Sequence, residues 1–112
     1  MRTLVIGLGN PILRDDAAGI LAAREVARRL GPLREAIQVA ELSVGGVALM
    51  EAMTGYTRCI LIDTVWAEPG RVGQVWLFDA GSLPDTLNTA SSHDADLPTA
   101  LRLGRSLGAV LP

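Results

Sequence analysis

The chain has 112 residues, enough for one domain with one hydrophobic core and too few for two. Hydrophobic residues make up 49% of it and charged residues 20%, which excludes a disordered chain, and with aromatics at 4% the core must be aliphatic. A net charge of -2 with no basic stripe argues against nucleic acid as a partner, and the lone cysteine, Cys59, excludes an intrachain disulfide or a multi-cysteine metal site.

Leu4 to Leu8 is a short aliphatic run, broken at once by Gly9-Asn10-Pro11. It is too short for a signal peptide or a membrane span, so the sequence reads as a cytoplasmic protein that starts at Met1 and has no membrane partner. Thr3 to Leu8 is instead expected to be a buried parallel strand, ended by Gly7 and Gly9. From about Asp15 to Leu30 the spacing is helical: Ile20, Ala23, Ala27 and Leu30 share one face, and Arg24, Glu25, Arg28 and Arg29 lie on the other. Gly31-Pro32 stops that helix.

Ala36 to Leu42 reads as a second strand, followed by Ser43-Val44-Gly45-Gly46 and a short helix through Met53. Arg58 to Val65 is a third strand. The alternation of strands and helices predicts right-handed parallel crossovers and an α/β fold, packed as a three-layer α/β/α sandwich with a mixed, mostly parallel sheet. A fourth strand, Val72 to Phe78, follows a connection too short for a parallel crossover and is expected to pair antiparallel. Asp79 to Ser92 reads as a polar loop, and Ala95 to Leu107 as a helix with Leu97, Leu101 and Leu107 on its apolar face. Pro112 follows Gly108-Ala109-Val110-Leu111, where a helix has just ended and another strand could begin, so a C-terminal part is expected to be missing.

In a parallel α/β sheet, ligands gather beyond the carboxyl ends of the strands. Asp16 follows the first strand, and Asp63 ends an aliphatic strand where a bare carboxylate would be costly without a partner. His93, the only histidine, lies just ahead of the last helix, and the loop before it is long enough to reach the same edge at about 3.3 Å per residue. Two carboxylates and an imidazole form a donor set suited to a divalent ion with open positions, nickel or zinc on ligand type.

Each residue also has a plainer reading. Asp15 and Asp16 can favour the positive end of a helix and cap its amides, Asp63 can cap a loop, and His93 can be a surface residue. Cys59, among Ile60 and Leu61, reads as a core residue and not a nucleophile. Trp66 either lines a cleft or packs at a sheet edge, and Arg14 either attracts an acidic group or pairs with Asp15 or Asp16. The Gly7-Leu8-Gly9 turn suggests a dinucleotide, but Ile12 stands where the third glycine should be.

Gly7-Leu8-Gly9-Asn10-Pro11-Ile12-Leu13-Arg14-Asp15-Asp16, Ile60-Leu61-Ile62-Asp63 and Ser92-His93 before a helix together resemble the hydrogenase maturation proteases. The resemblance spans nearly the whole chain and implies a phosphorylase/hydrolase-like α/β domain over residues 1–112, lacking a C-terminal strand and helix. It implies an endopeptidase that removes the C-terminal extension of a nickel-iron hydrogenase large-subunit precursor after nickel insertion. Asp16, Asp63 and His93 would then be both the catalytic and the metal-binding set, with nickel in the substrate or at the recognition site, or another divalent metal. The turn Glu41-Leu42-Ser43-Val44-Gly45-Gly46 departs from the family's Asp-Gly-Gly type. A shortened sheet would leave an open edge and invite a homodimer. Two alternatives remain: a non-catalytic module that docks the precursor, and a peptidyl-tRNA hydrolase-like esterase. The latter matches only at Gly-Leu-Gly-Asn-Pro and would need a histidine where Arg14-Asp15-Asp16 stand.

Overall fold

The structure, a computed structural model, describes residues 2–10, 12, 17–43, 46–64, 73–79 and 97–112. In chain order these form strand β1 (Thr3–Leu8), helix α1 (Ala18–Arg29), a 3-10 turn (Gly31–Glu35), β2 (Ile37–Leu42), α2 (Gly46–Met53), β3 (Arg58–Ile62) and α3 (Leu97–Ser106). The result is a small α/β domain whose sheet has the order β2-β1-β3, with both pairings parallel. Val5 lies in register with Val39 on one side and Ile60 on the other.

The central place of β1 follows from its composition. A parallel strand with neighbours on both sides and helices above and below has no polar face, so it must be apolar throughout. Leu4, Val5, Ile6 and Leu8 are all buried, Ile6 and Leu8 completely. β2 is an edge strand among the described residues and keeps Gln38 and Glu41 exposed.

Strand alternation sends β1 side chains to two different packing partners. Leu4, Ile6 and Leu8 join Leu49, Met50 and Met53 of α2 and Leu97, Ala100 and Leu101 of α3 in one core cluster. Ala40, Leu42, Cys59 and Leu61 from the flanking strands pack against it. The opposite row, with Val5 and Gly7, faces α1, which buries Ile20 and Ala23. At Gly7 the helix comes so close that a Cβ would collide with the Gly19 carbonyl oxygen and lie 2.6 Å from the Ala23 Cβ. Gly7 therefore lies inside β1 and does not end it. A side chain there would hold α1 away from the sheet.

An ion pair pins α1 over β2. Arg24 donates through Nε and Nη2 to the Glu41 carboxylate, with the Nη2 bond at 2.9 Å to Oε1. Farther along the helix, Glu25 accepts from both Arg28 and Arg29. These charges hold Arg24 and Arg28 above, and Glu25 and Glu41 below, their ordinary pKa values, with the hydrogen-bonded partner as the main cause in each case.

Three further sequence expectations need correction. Residues 73–79 form no strand, so among the described residues the sheet is wholly parallel and not mixed. Trp76 and Phe78 instead stack on one another at 6.2 Å between ring centres, while Val75 and Leu77 stand in solvent. An apolar run rich in strand-forming residues invites a strand, but pairing is what makes one. β3 stops at Ile62, short of Val65, and leaves Asp63 and Thr64 in irregular backbone. Leu107 is 76% exposed because α3 ends at Ser106 and the chain turns at Gly108, where φ is +88°, while Leu97 and Leu101 are buried as expected. The Asp79–Ser92 loop, beyond Asp79 itself, lies outside the described residues.

Gly7→Ala should cost about 3 kcal/mol of folding stability, the upper part of the usual range for overpacking, because its neighbours include helix backbone that cannot turn aside. Denaturant unfolding measures it, and a loss indistinguishable from that of Gly31→Ala, at an open position with φ of +52°, would contradict this packing.

Candidate functional site

The carboxyl ends of the strands, the amino end of α1 and the turn after β1 share one edge of the sheet. Gly9 turns the chain with φ of 149° and donates its N–H to the Leu42 carbonyl at 3.1 Å, carrying the β1–β2 pairing one residue beyond β1. The Asn10 side-chain oxygen then accepts the Ile12 N–H at 3.0 Å, a local turn that asparagine forms readily. So the glycine and asparagine of the first motif act as backbone devices. They end the pairing and start the turn.

Gly19, in the first turn of α1, sits against the ends of both β1 and β3. A Cβ there would run into the Leu8 carbonyl oxygen and lie 2.5 Å from that of Ile62. This contact carries the amino end of α1 to the residue just before Asp63. The partial positive charge of a helix amino end favours an anion nearby. Ala17 is the N-cap residue of α1, and its side chain supplies no hydrogen bond to the helix.

Asp63 is half-buried. Its Oδ1 accepts the Thr64 N–H at 2.8 Å, and its Oδ2 is turned away from solvent. The Thr64 hydroxyl is also buried and has no hydrogen-bond partner among the described residues. The end of β3 thus withdraws one carboxylate oxygen and one hydroxyl from water.

Of the three residues that the sequence singled out, Asp63 is at this edge. Asp16 and His93 lie outside the described residues, as do Asp15, Arg14 and Trp66. Among the described residues no group of three or more His, Cys, Asp or Glu could hold a metal ion. Glu41, the acid at the end of β2, is committed to Arg24. That pairing was not evident from sequence, because Arg24 falls on the polar helix face and its partner lies 17 residues away.

Cys59 faces the α2 and α3 side of the sheet and packs against the core cluster. Burial alone pushes its thiol up to about 11, the opposite of an activated nucleophile. Compared with known proteins, the chain matches no family model, no curated protein and no solved structure.

Alkylation of Cys59 at pH 8 should be slow and should accelerate as pH rises towards about 11. Because the folded-state pKa is raised, the stability contributed by the neutral thiol is complete below 9.0 and declines as pH rises through about 11. Fast labelling of the native chain at pH 8, at the rate of the urea-unfolded chain, would contradict the burial.

Proposed function

We propose that this chain is a cytoplasmic maturation endopeptidase that removes the C-terminal extension of a nickel-iron hydrogenase large-subunit precursor once nickel has been inserted. Its fold would be a three-layer α/β/α sandwich. The observation that carries the reading is the contact of Gly19 with the ends of β1 and β3. It sets the start of α1 beside the strand end that presents Asp63, at the edge where parallel α/β sheets bind ligands.

In this reading Asp16, Asp63 and His93 hold the nickel that the precursor carries, as part of the substrate. Asp63 offers an oxygen donor at a half-buried strand end, with Oδ1 already oriented by the Thr64 N–H. Asp16 is joined to Ala17, the residue that leads into α1. His93 would complete the set from the segment before α3. A divalent ion supplies Lewis acidity and lowers the pKa of bound water. The chain's own residues orient the precursor at the sheet edge, and the need for nickel in the substrate gives selectivity, since ordinary peptides lack it.

The test is mass spectrometry of nickel-loaded and nickel-free precursor after incubation with the chain. Only the loaded form should be shortened. Asp16→Ala, Asp63→Asn and His93→Ala, each checked for folding by circular dichroism, should slow the cut by roughly a hundredfold, the scale on which disturbed metal sites lose affinity or activity. Equal processing of both precursors, or full activity in all three variants, overturns the reading. A precursor that is bound but never shortened points to a non-catalytic docking module instead.

A further inference from the structure

We infer that the Arg24–Glu41 ion pair is a salt-sensitive latch for the Asp63 edge: it fixes how α1 lies across the sheet, and screening it lets the amino end of the helix shift on the end of β3. Glu41, Gly7 and Ile62 are in register, one on each strand, and form a single row across the sheet. α1 meets that row three times. Gly19 lies against the Ile62 carbonyl oxygen, Gly19 and Ala23 lie against Gly7, and Arg24 reaches Glu41. Residues 19 and 24 are about 7.5 Å apart along a helix axis, so the two end contacts bracket the crossing at Gly7.

The three contacts constrain the helix differently. Those at Gly7 and Gly19 are van der Waals meetings with backbone or with the Ala23 methyl group. They stop closer approach, but no side chain is seated in a groove there to resist a turn about the contact. Arg24 holds direction as well as distance, because Nε and Nη2 both donate to one carboxylate. No other hydrogen bond joins α1 to the three strands among the described residues. Both side chains are exposed, so the link is open to screening and biases a seated helix over a tilted one by a few-fold without locking it. Ala17 leads into α1 and Ile62 leads into Asp63, so a turn about the Gly7 crossing changes the spacing between Ala17 and Asp63. In the proposed reaction Arg24 and Glu41 are then positioning residues, since Asp16 adjoins Ala17 in sequence.

That last consequence rests on the proposed proteolysis, whereas the latch is tested without metal or precursor. The experiment follows backbone amide resonances of the isotopically labelled full chain. Arg24→Gln and Glu41→Gln should each move the resonances of Gly19, Ile62 and Thr64, and Arg24→Lys, which keeps the charge and loses the fork, should move them part of the way. In the unaltered chain, raising sodium chloride from about 0.01 M to about 1 M shrinks the screening length from about 30 Å to about 3 Å. The same three resonances should then move in the same direction, with a response at least halved in Arg24→Gln. Exchange of the Leu21 amide, which donates to the Ala17 carbonyl in the first turn, should quicken roughly fivefold in both glutamine variants as that turn loosens from the strand ends. Two results would overturn the inference: changes confined to the immediate neighbours of residues 24 and 41, as a purely local ion pair gives, or a salt response in Arg24→Gln equal to that of the unaltered chain. Should both glutamine variants fail to fold, the salt series decides, and unmoved resonances at Gly19, Ile62 and Thr64 refute the latch. A chain that shows these shifts yet never shortens the precursor refutes the proteolytic reading alone.

Discussion

The close crossing of α1 over β1 is the constraint from which most of this structure follows. Two glycines make it. Gly7 gives up a side chain in the middle of the most buried strand, and Gly19 gives one up in the first turn of the helix, so backbone meets backbone where side chains would otherwise intervene. Each glycine costs conformational entropy and local propensity, about 0.5–1 kcal/mol relative to alanine. The return is a helix seated low enough to bury Ile20 and Ala23 and to bring its amino end against the last carbonyls of β1 and β3. Geometry at the Asp63 edge is thus set by what is absent from two positions.

The two faces of the sheet are built differently. On one, α2 and α3 pack on each other and on Leu4, Ile6 and Leu8, with aliphatic and thioether side chains filling the space. Gly104 continues the theme there, since a Cβ would press on the Met50 sulfur at 2.8 Å. On the other face α1, the one helix there among the described residues, is seated off-centre and held over β2 by the Arg24–Glu41 pair. That pair is exposed and contributes little to stability, but its two-nitrogen geometry restricts where the helix can slide. Because α1 is drawn to β2, β3 is the strand left partly uncovered, which is why a residue as apolar as Ile60 meets solvent.

What the sequence revealed, it revealed through periodicity. The unbroken run Thr3–Leu8 and the helical spacing around Ile20 and Ala23 read correctly, because each is a local pattern imposed by one buried surface. The helix from Gly46 to Met53 was legible in the same way, with Leu49, Met50 and Met53 on its buried side. Gly7 was misread as a strand terminator because its reason for being glycine is a contact with residue 19, invisible in a local window. The segment around Trp76 has a strand-like apolar run, yet ring stacking replaces pairing there. At the candidate site, the sequence placed Asp63 at a strand end, and the structure agrees. The withdrawal of its Oδ2 and of the Thr64 hydroxyl from water is a property of the folded surroundings that no spacing rule encodes.

The position of β1 bears on how the molecule can be made. It precedes both of its partners in the chain and is the middle strand of the sheet, and those partners begin at Ile37 on one side and Arg58 on the other. Closing such long loops costs entropy before any pairing repays it. On the ribosome, therefore, these six apolar-rich residues emerge before either partner and wait, with both ladders open, until Ile62 has cleared the exit tunnel. During that interval they are a target for holdases and a seed for aggregation, so biogenesis of this small domain is governed by its slowest and most distant zipper and not by its helices.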